Sequence, residues 1–132
     1  ANDSVEHALS EMDNWGGPWR VSTTFANNIF FVEDSADFYW GESKNHVFRH
    51  NVYFGRFNTL PDDERALTVD PLLVNPSKPA GSIEDLHGFE LQAGSPCIDA
   101  GVPVIGRTIR DFFGNPVPAG VSPSIGVYEP QP

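Results

Sequence analysis

Apolar and polar positions along this chain fall into a pattern that occurs twice. Phe25-Ala26-Asn27-Asn28-Ile29-Phe30-Phe31 returns 23 residues later as Phe48-Arg49-His50-Asn51-Val52-Tyr53-Phe54. A period of roughly 20 to 25 residues, with an aromatic, an Asn and a β-branched residue in fixed register, fits stacked coils in which each strand lies on its predecessor. The repeated Asn sharpens this. Asn tolerates the left-handed backbone of a tight corner, and its amide can bond an identical amide on the next coil, so Asn28 and Asn51 are expected as stacked corner residues. Two strands of an antiparallel sheet that share a pattern remain the competing reading of the repeat alone.

The predicted strands follow from this register. In a first coil, Arg20 to Ser43, they fall near 21–24, 28–32 and 37–40; in a second, Lys44 to Leu67, near 47–48, 51–54 and 66–69. A third, less regular coil holds Leu72 to Asn75. Upstream, Val5, Ala8, Leu9 and Met12 recur at spacings of three and four, which predicts a short amphipathic helix over 4–13 with Asp3 or Ser4 as N-cap, ended by Gly16-Gly17-Pro18. Residues 1–20 are then expected to cap the open end of the first coil. Segments 75–88 and 116–123, rich in Pro and Gly, read as loops.

The second half adds Asp70-Pro71-Leu72-Leu73-Val74-Asn75-Pro76, then Ser95-Pro96-Cys97-Ile98-Asp99-Ala100-Gly101, Asp111-Phe112-Phe113-Gly114-Asn115-Pro116 and Ile125-Gly126-Val127-Tyr128-Glu129. From about Phe25 to Glu129 this order resembles the C-terminal end of right-handed parallel β-helix proteins, the group of pectate-lyase-like and other polysaccharide-active proteins. The resemblance implies an all-β fold: a short right-handed parallel β-helix of about three coils, with an N-terminal helical cap and irregular C-terminal loops. One domain is expected, divided into a cap (1–20), regular coils (21–75) and a terminating segment (76–132). Three coils at about 4.8 Å each make a stub about 15 Å tall. The resemblance also implies a secreted, extracellular location.

Composition agrees and narrows the partners. With 132 residues the chain holds one core, and twelve Gly, twelve Pro and ten Phe suggest many turns between short strands. A net charge of −10 repels nucleic acid, anionic membranes and polyanionic polysaccharides unless Ca²⁺ bridges the charges, so a neutral ligand is expected. No apolar run approaches the ~18 residues of a membrane span, and the start at Ala1 reads as neither a signal nor a transit peptide. The single cysteine, Cys97, excludes an internal disulfide and reads as a buried apolar residue.

Three sets of side chains are candidates for chemistry. Asp34, Asp37, Asp62 and Asp63 lie on loops that approach one another if the coils stack, where they would hold Ca²⁺ or act as an acid and base pair; solvated turn residues are the alternative. His46 and His50 are four apart on a predicted strand and corner, a spacing that does not converge on zinc. Lys44, Arg49 and Arg56 cluster, but without a lyase catalytic motif around them. Aromatics are the favoured set. Trp15, Trp19, Tyr39 and Trp40 sit among Gly, Pro, Asp and Glu, where rings stay partly exposed and can stack on sugar faces. Tyr39, Trp40, Glu42 and Arg49 would form a platform, against the alternative that these rings cap the core.

The leading expectation is therefore a non-catalytic carbohydrate-binding module for a neutral plant cell-wall or microbial polysaccharide of xylan or β-glucan type. A second is the C-terminal part of a polysaccharide lyase or glycoside hydrolase whose catalytic coils or domain lie elsewhere in a parent chain. The third is a structural cap or interaction domain, self-associating through an open coil end.

Overall fold

The computed structural model describes residues 7–11, 16–19, 21–40, 42–77, 81–104 and 109–132. Among these residues there are seven strands, β1 (His7–Glu11), β2 (Thr24–Ala26), β3 (Ile29–Tyr39), β4 (Val47–Arg49), β5 (Val52–Phe57), β6 (Ile109–Arg110) and β7 (Pro116–Val117), and one 3-10 helix at Ile83–Phe89. They form three small sheets, ordered β1-β3-β5, β2-β4 and β6-β7.

The two copies of the repeat pair with each other. β2 lies parallel to β4 with Phe25 opposite Phe48, and β3 lies parallel to β5 with Ile29, Phe30 and Phe31 opposite Val52, Tyr53 and Phe54. Their rings meet across the pairing: Phe25 stacks on Phe48 at 4.8 Å and Phe30 on Tyr53 at 5.4 Å, while Phe31 lies tilted against Phe54 at 5.4 Å. Asn28 Nδ2 donates to Asn51 Oδ1 at 3.0 Å, the expected amide pair. The left-handed corners, however, fall one residue earlier, at Asn27 (φ 59°) and His50 (φ 54°), and Ser22 and Asn45 form a second such pair, also 23 residues apart. The shift has a use. Asn27 and His50 aim outward at one downstream segment: Asn27 Nδ2 donates to the Val102 carbonyl at 2.7 Å and its Oδ1 accepts the Val102 N–H at 2.8 Å, while His50 Nδ1 donates to the Ala100 carbonyl at 2.9 Å.

A three-coil parallel β-helix does not form. Beyond the second copy the parallel pairing thins to isolated bridges at Phe48–Asp63 and Val52–Leu67, and the next contact, Leu73–Leu91, is antiparallel. Pro61, Pro71 and Pro76 interrupt this stretch, and proline has no N–H to continue a ladder. There is no closed or solenoid sheet among the described residues, only the three small ones. The helical cap is likewise corrected: His7–Glu11 is a strand, pairing parallel with residues 36–39 of β3. An isolated helix of about ten residues is marginal in water, and here the hydrogen bonds of a sheet edge prevail over a weak helical period. The proposed N-caps Asp3 and Ser4 lie outside the described residues.

The β3–β5 pair is two-faced, because successive side chains alternate. One face carries a cluster of Phe25, Phe30, Phe38, Trp40, Phe48, Tyr53 and Phe57. The other carries Val52, which packs with Leu73, Leu91, Cys97 and Ile125 in the aliphatic core, flanked by Ile29, Phe31 and Phe54. The segment expected as terminating loops thus supplies Leu91, Cys97 and Ile125, more than half of that buried cluster. Burial pushes the Cys97 thiol above its ordinary pKa, in keeping with an inert apolar role.

Candidate functional site

The residues expected to form a sugar platform are distributed rather than gathered. Trp40 turns into the aromatic cluster, stacked on His46 at 4.5 Å and on Phe38 at 5.7 Å. Tyr39, the preceding residue at the end of β3, is exposed, and strand alternation directs it away from that cluster. Glu42 is an exposed turn residue. Arg49 Nε donates to Glu64 at 2.6 Å, and the guanidinium holds the Glu64 carboxyl below its usual range. Trp19 is half-buried beside Gly17 and Pro18, and Trp15 lies outside the described residues.

The carboxylates proposed for calcium are not convergent either. Asp63 Oδ2 accepts from the Asn51 backbone at 3.3 Å, from Asn51 Nδ2 at 2.8 Å and from the Tyr53 hydroxyl at 2.8 Å, while Oδ1 accepts from the Arg65 N–H at 2.9 Å. This carboxylate is a strut under the buried Asn51, with its oxygens engaged. Burial raises the Tyr53 phenol pKa, and the bond to Asp63 raises it further. Asp37 Oδ2 accepts from Asn58 Nδ2 at 2.6 Å, and Asp34 and Asp62 are exposed. No group of three or more His, Cys, Asp or Glu side chains stands ready for a metal among the described residues.

A cleft of about 470 Å³ lies instead between the repeat corner and the C-terminal half. One wall is Asn27 to Ile29 with Phe31; the other is Leu86, Phe89, Phe112, Phe113 and Val127. Each element is placed by local chemistry. The 3-10 helix that presents Leu86 and Phe89 is opened by a Ser82–Asp85 capping box. Phe112 and Phe113 ride on a turn closed by the Gly114 N–H donating to the Asp111 carbonyl at 3.1 Å, and the Phe112 N–H donates to the Val127 carbonyl at 3.0 Å. The Asp111 carboxylate accepts from the Asn115 backbone and side chain and from the Glu129 N–H, each at 2.8 Å. Burial pushes that carboxyl up, but these hydrogen bonds outweigh it and hold its pKa below the usual carboxylate value.

Within the cleft Phe113 is sandwiched, stacked on His87 at 4.8 Å and edge-on to Tyr128 at 5.8 Å. Phe112 meets Phe113 edge-to-face at 5.3 Å and remains 58% exposed at the mouth. Gly126 (φ 110°) holds a backbone conformation that favours glycine, and a Cβ there would also press on the end of the Ile29 side chain at 2.9 Å. No titratable side chain is among the described residues that line the cleft, and the Asn27 amide and Asn28 Nδ2 are engaged at Val102, Ala26 and Asn51. The surface suits a flat, partly apolar group, with the His87 imidazole stacked on Phe113 and bonded to the Glu90 carboxylate. Sequence reasoning passed over Phe112 and Phe113, although they sit between Asp111 and Gly114 in the same turn-like setting that singled out Trp40.

No family model matches this chain, and no curated protein is detectably similar to it.

Proposed function

We propose that the chain is a non-catalytic binding module for a neutral polysaccharide, with a sugar ring stacked on Phe112 at the mouth of the Phe112–Phe113 cleft. The observation that carries this reading is the exposed Phe112 ring, backed by the clamped Phe113 and opening onto a mostly apolar cleft. Sugar C–H faces pack on such rings, and the net charge of −10 favours an uncharged chain over pectate-like polyanions.

Affinity electrophoresis against soluble xylans and β-glucans tests the reading. Retardation by one of them, without release of reducing ends or unsaturated products, is expected, and Phe112→Ala should weaken it about tenfold, the equivalent of ~1.4 kcal/mol. Turnover, or retardation that is indifferent to Phe112→Ala, would overturn it.

A further inference from the structure

A second cleft, of about 380 Å³, meets the first at the repeat corner, where Asn27, Asn28 and Gly126 line both. Two rings stand between them. Phe113 lines the first cleft, Tyr128 lines the second, and the rings meet edge-on at 5.8 Å. Pro103, Val104, Val117 and Pro118 complete the second cleft with Arg110. Its wall is tied to that of the first through one carboxylate. Asp111, which holds the Phe112–Phe113 turn through Asn115, also accepts the Glu129 N–H at 2.8 Å; the buried Glu129 carboxylate in turn accepts the Ala119 N–H at 3.1 Å and the Ser124 N–H at 2.8 Å. The two clefts are thus built as one unit.

We infer that the second cleft is a second sugar subsite, so that the module takes a run of consecutive rings of a neutral polysaccharide across the Asn27–Asn28 corner, one on Phe112 and another beside Tyr128 and Arg110. This rests on the reading of Phe112 as a sugar platform. A sugar ring has apolar C–H faces and a rim of hydroxyls, and the second cleft sets proline, valine and tyrosine surfaces beside a guanidinium, a matching mixture. Arg110 is exposed and anchored: its Nη1 donates to the Gly114 carbonyl at 2.7 Å, which uses one of the five N–H donors that a guanidinium carries in a fixed fork. Each cleft lies within the ~300–1,000 Å³ of a single small-ligand site, so two that share a corner suit an oligomer better than one monosaccharide. The Asp111 and Glu129 carboxylates that line the second cleft oppose a uronate there, in keeping with an uncharged chain.

Xylo- and cello-oligosaccharides from disaccharide to hexasaccharide, titrated into the full chain by calorimetry and by amide chemical shifts, test this. In one of the two series affinity is expected to rise about tenfold from disaccharide to hexasaccharide, because the second contact is made within an already bound chain. The disaccharide should move the Phe112, Phe113 and Val127 amides, and the hexasaccharide should add Val104, Val117 and Val121. Arg110→Ala should weaken the hexasaccharide about tenfold more than the disaccharide; the shifts in the unaltered protein read the second cleft without depending on that variant's folding. Equal affinity along both series, hexasaccharide shifts confined to the first cleft, or equal losses for short and long sugars in Arg110→Ala would each overturn the second subsite and leave the Phe112 platform standing. Binding of no sugar, or binding indifferent to Phe112→Ala, would overturn the platform and the second subsite with it.

Discussion

The two copies of the repeat share a pattern and differ in fate. Asn28, one residue past the corner and partly buried, makes two side-chain bonds among the described residues, both from Nδ2; Asn51 is fully buried and joins the Asn28 backbone and amide, the Phe25 carbonyl and the Asp63 carboxylate. Ile29 flanks the core that Val52 belongs to. The same residue type therefore does different amounts of structural work according to what lies on its outer side. For the second copy that is the 63–67 segment; the first has no such paired segment along residues 24–32 among the described residues.

The largest test of this asymmetry is Tyr53→Ala against Phe30→Ala. Emptying the buried site is expected to cost ~3–5 kcal/mol, and the half-exposed one less than half as much, both read from urea midpoints at constant m. Equal losses would mean that the first copy is as enclosed as the second. Asn51→Ala should come next, at ~2–3 kcal/mol, because it takes the side-chain partner from the Asn28 N–H and the Phe25 carbonyl and one of three bonds from Asp63 Oδ2; Asn28→Ala should cost about 1 kcal/mol. At the corners, His50→Ala removes the bond to the Ala100 carbonyl and should cost about 1 kcal/mol, with faster hydrogen exchange at Val102 as the local sign that the C-terminal segment has loosened.

The C-terminal half contributes a pH-dependent counterpart. Asp111 titrates below its unfolded value of about 3.9. Its hydrogen bonds then stabilise the fold fully above that pH, and the contribution is lost as pH falls through the folded value. Acid titrations should show Asp111→Asn losing part of the stability step below pH ~4, with no matching change in a Glu64→Gln variant at neutral pH. That last substitution breaks only the exposed pair with Arg49, and the smallest effect is expected there, a shift within the error of a urea titration and further reduced by salt.

Several features were legible in the residues. The 23-residue offset predicted parallel pairing of the two copies and the Asn28–Asn51 amide contact, and the apolar flanks of Cys97 predicted its burial. Other expectations failed for definite reasons. Val5, Ala8, Leu9 and Met12 have a helical period, yet residues 7–11 join a sheet edge, because a partner strand outweighs a weak local preference. Trp40 and Tyr39 are neighbours in sequence with similar flanks, but strand alternation sends one into the ring cluster and leaves the other exposed. Phe112 and Phe113 became a cleft wall only because Val127, Leu86 and Phe89, distant in the chain, were brought against them.

By itself the sequence determined the local register, which residues repeat and face one another, and a net charge of −10. These depend on neighbours within a few residues or on charges that simply add. Only the tertiary structure decided how far the pairing extends, which rings remain in water and which acidic side chains are engaged as struts. Those outcomes depend on what packs against each residue from elsewhere in the chain, and two copies of one pattern, set against different neighbours, came out differently.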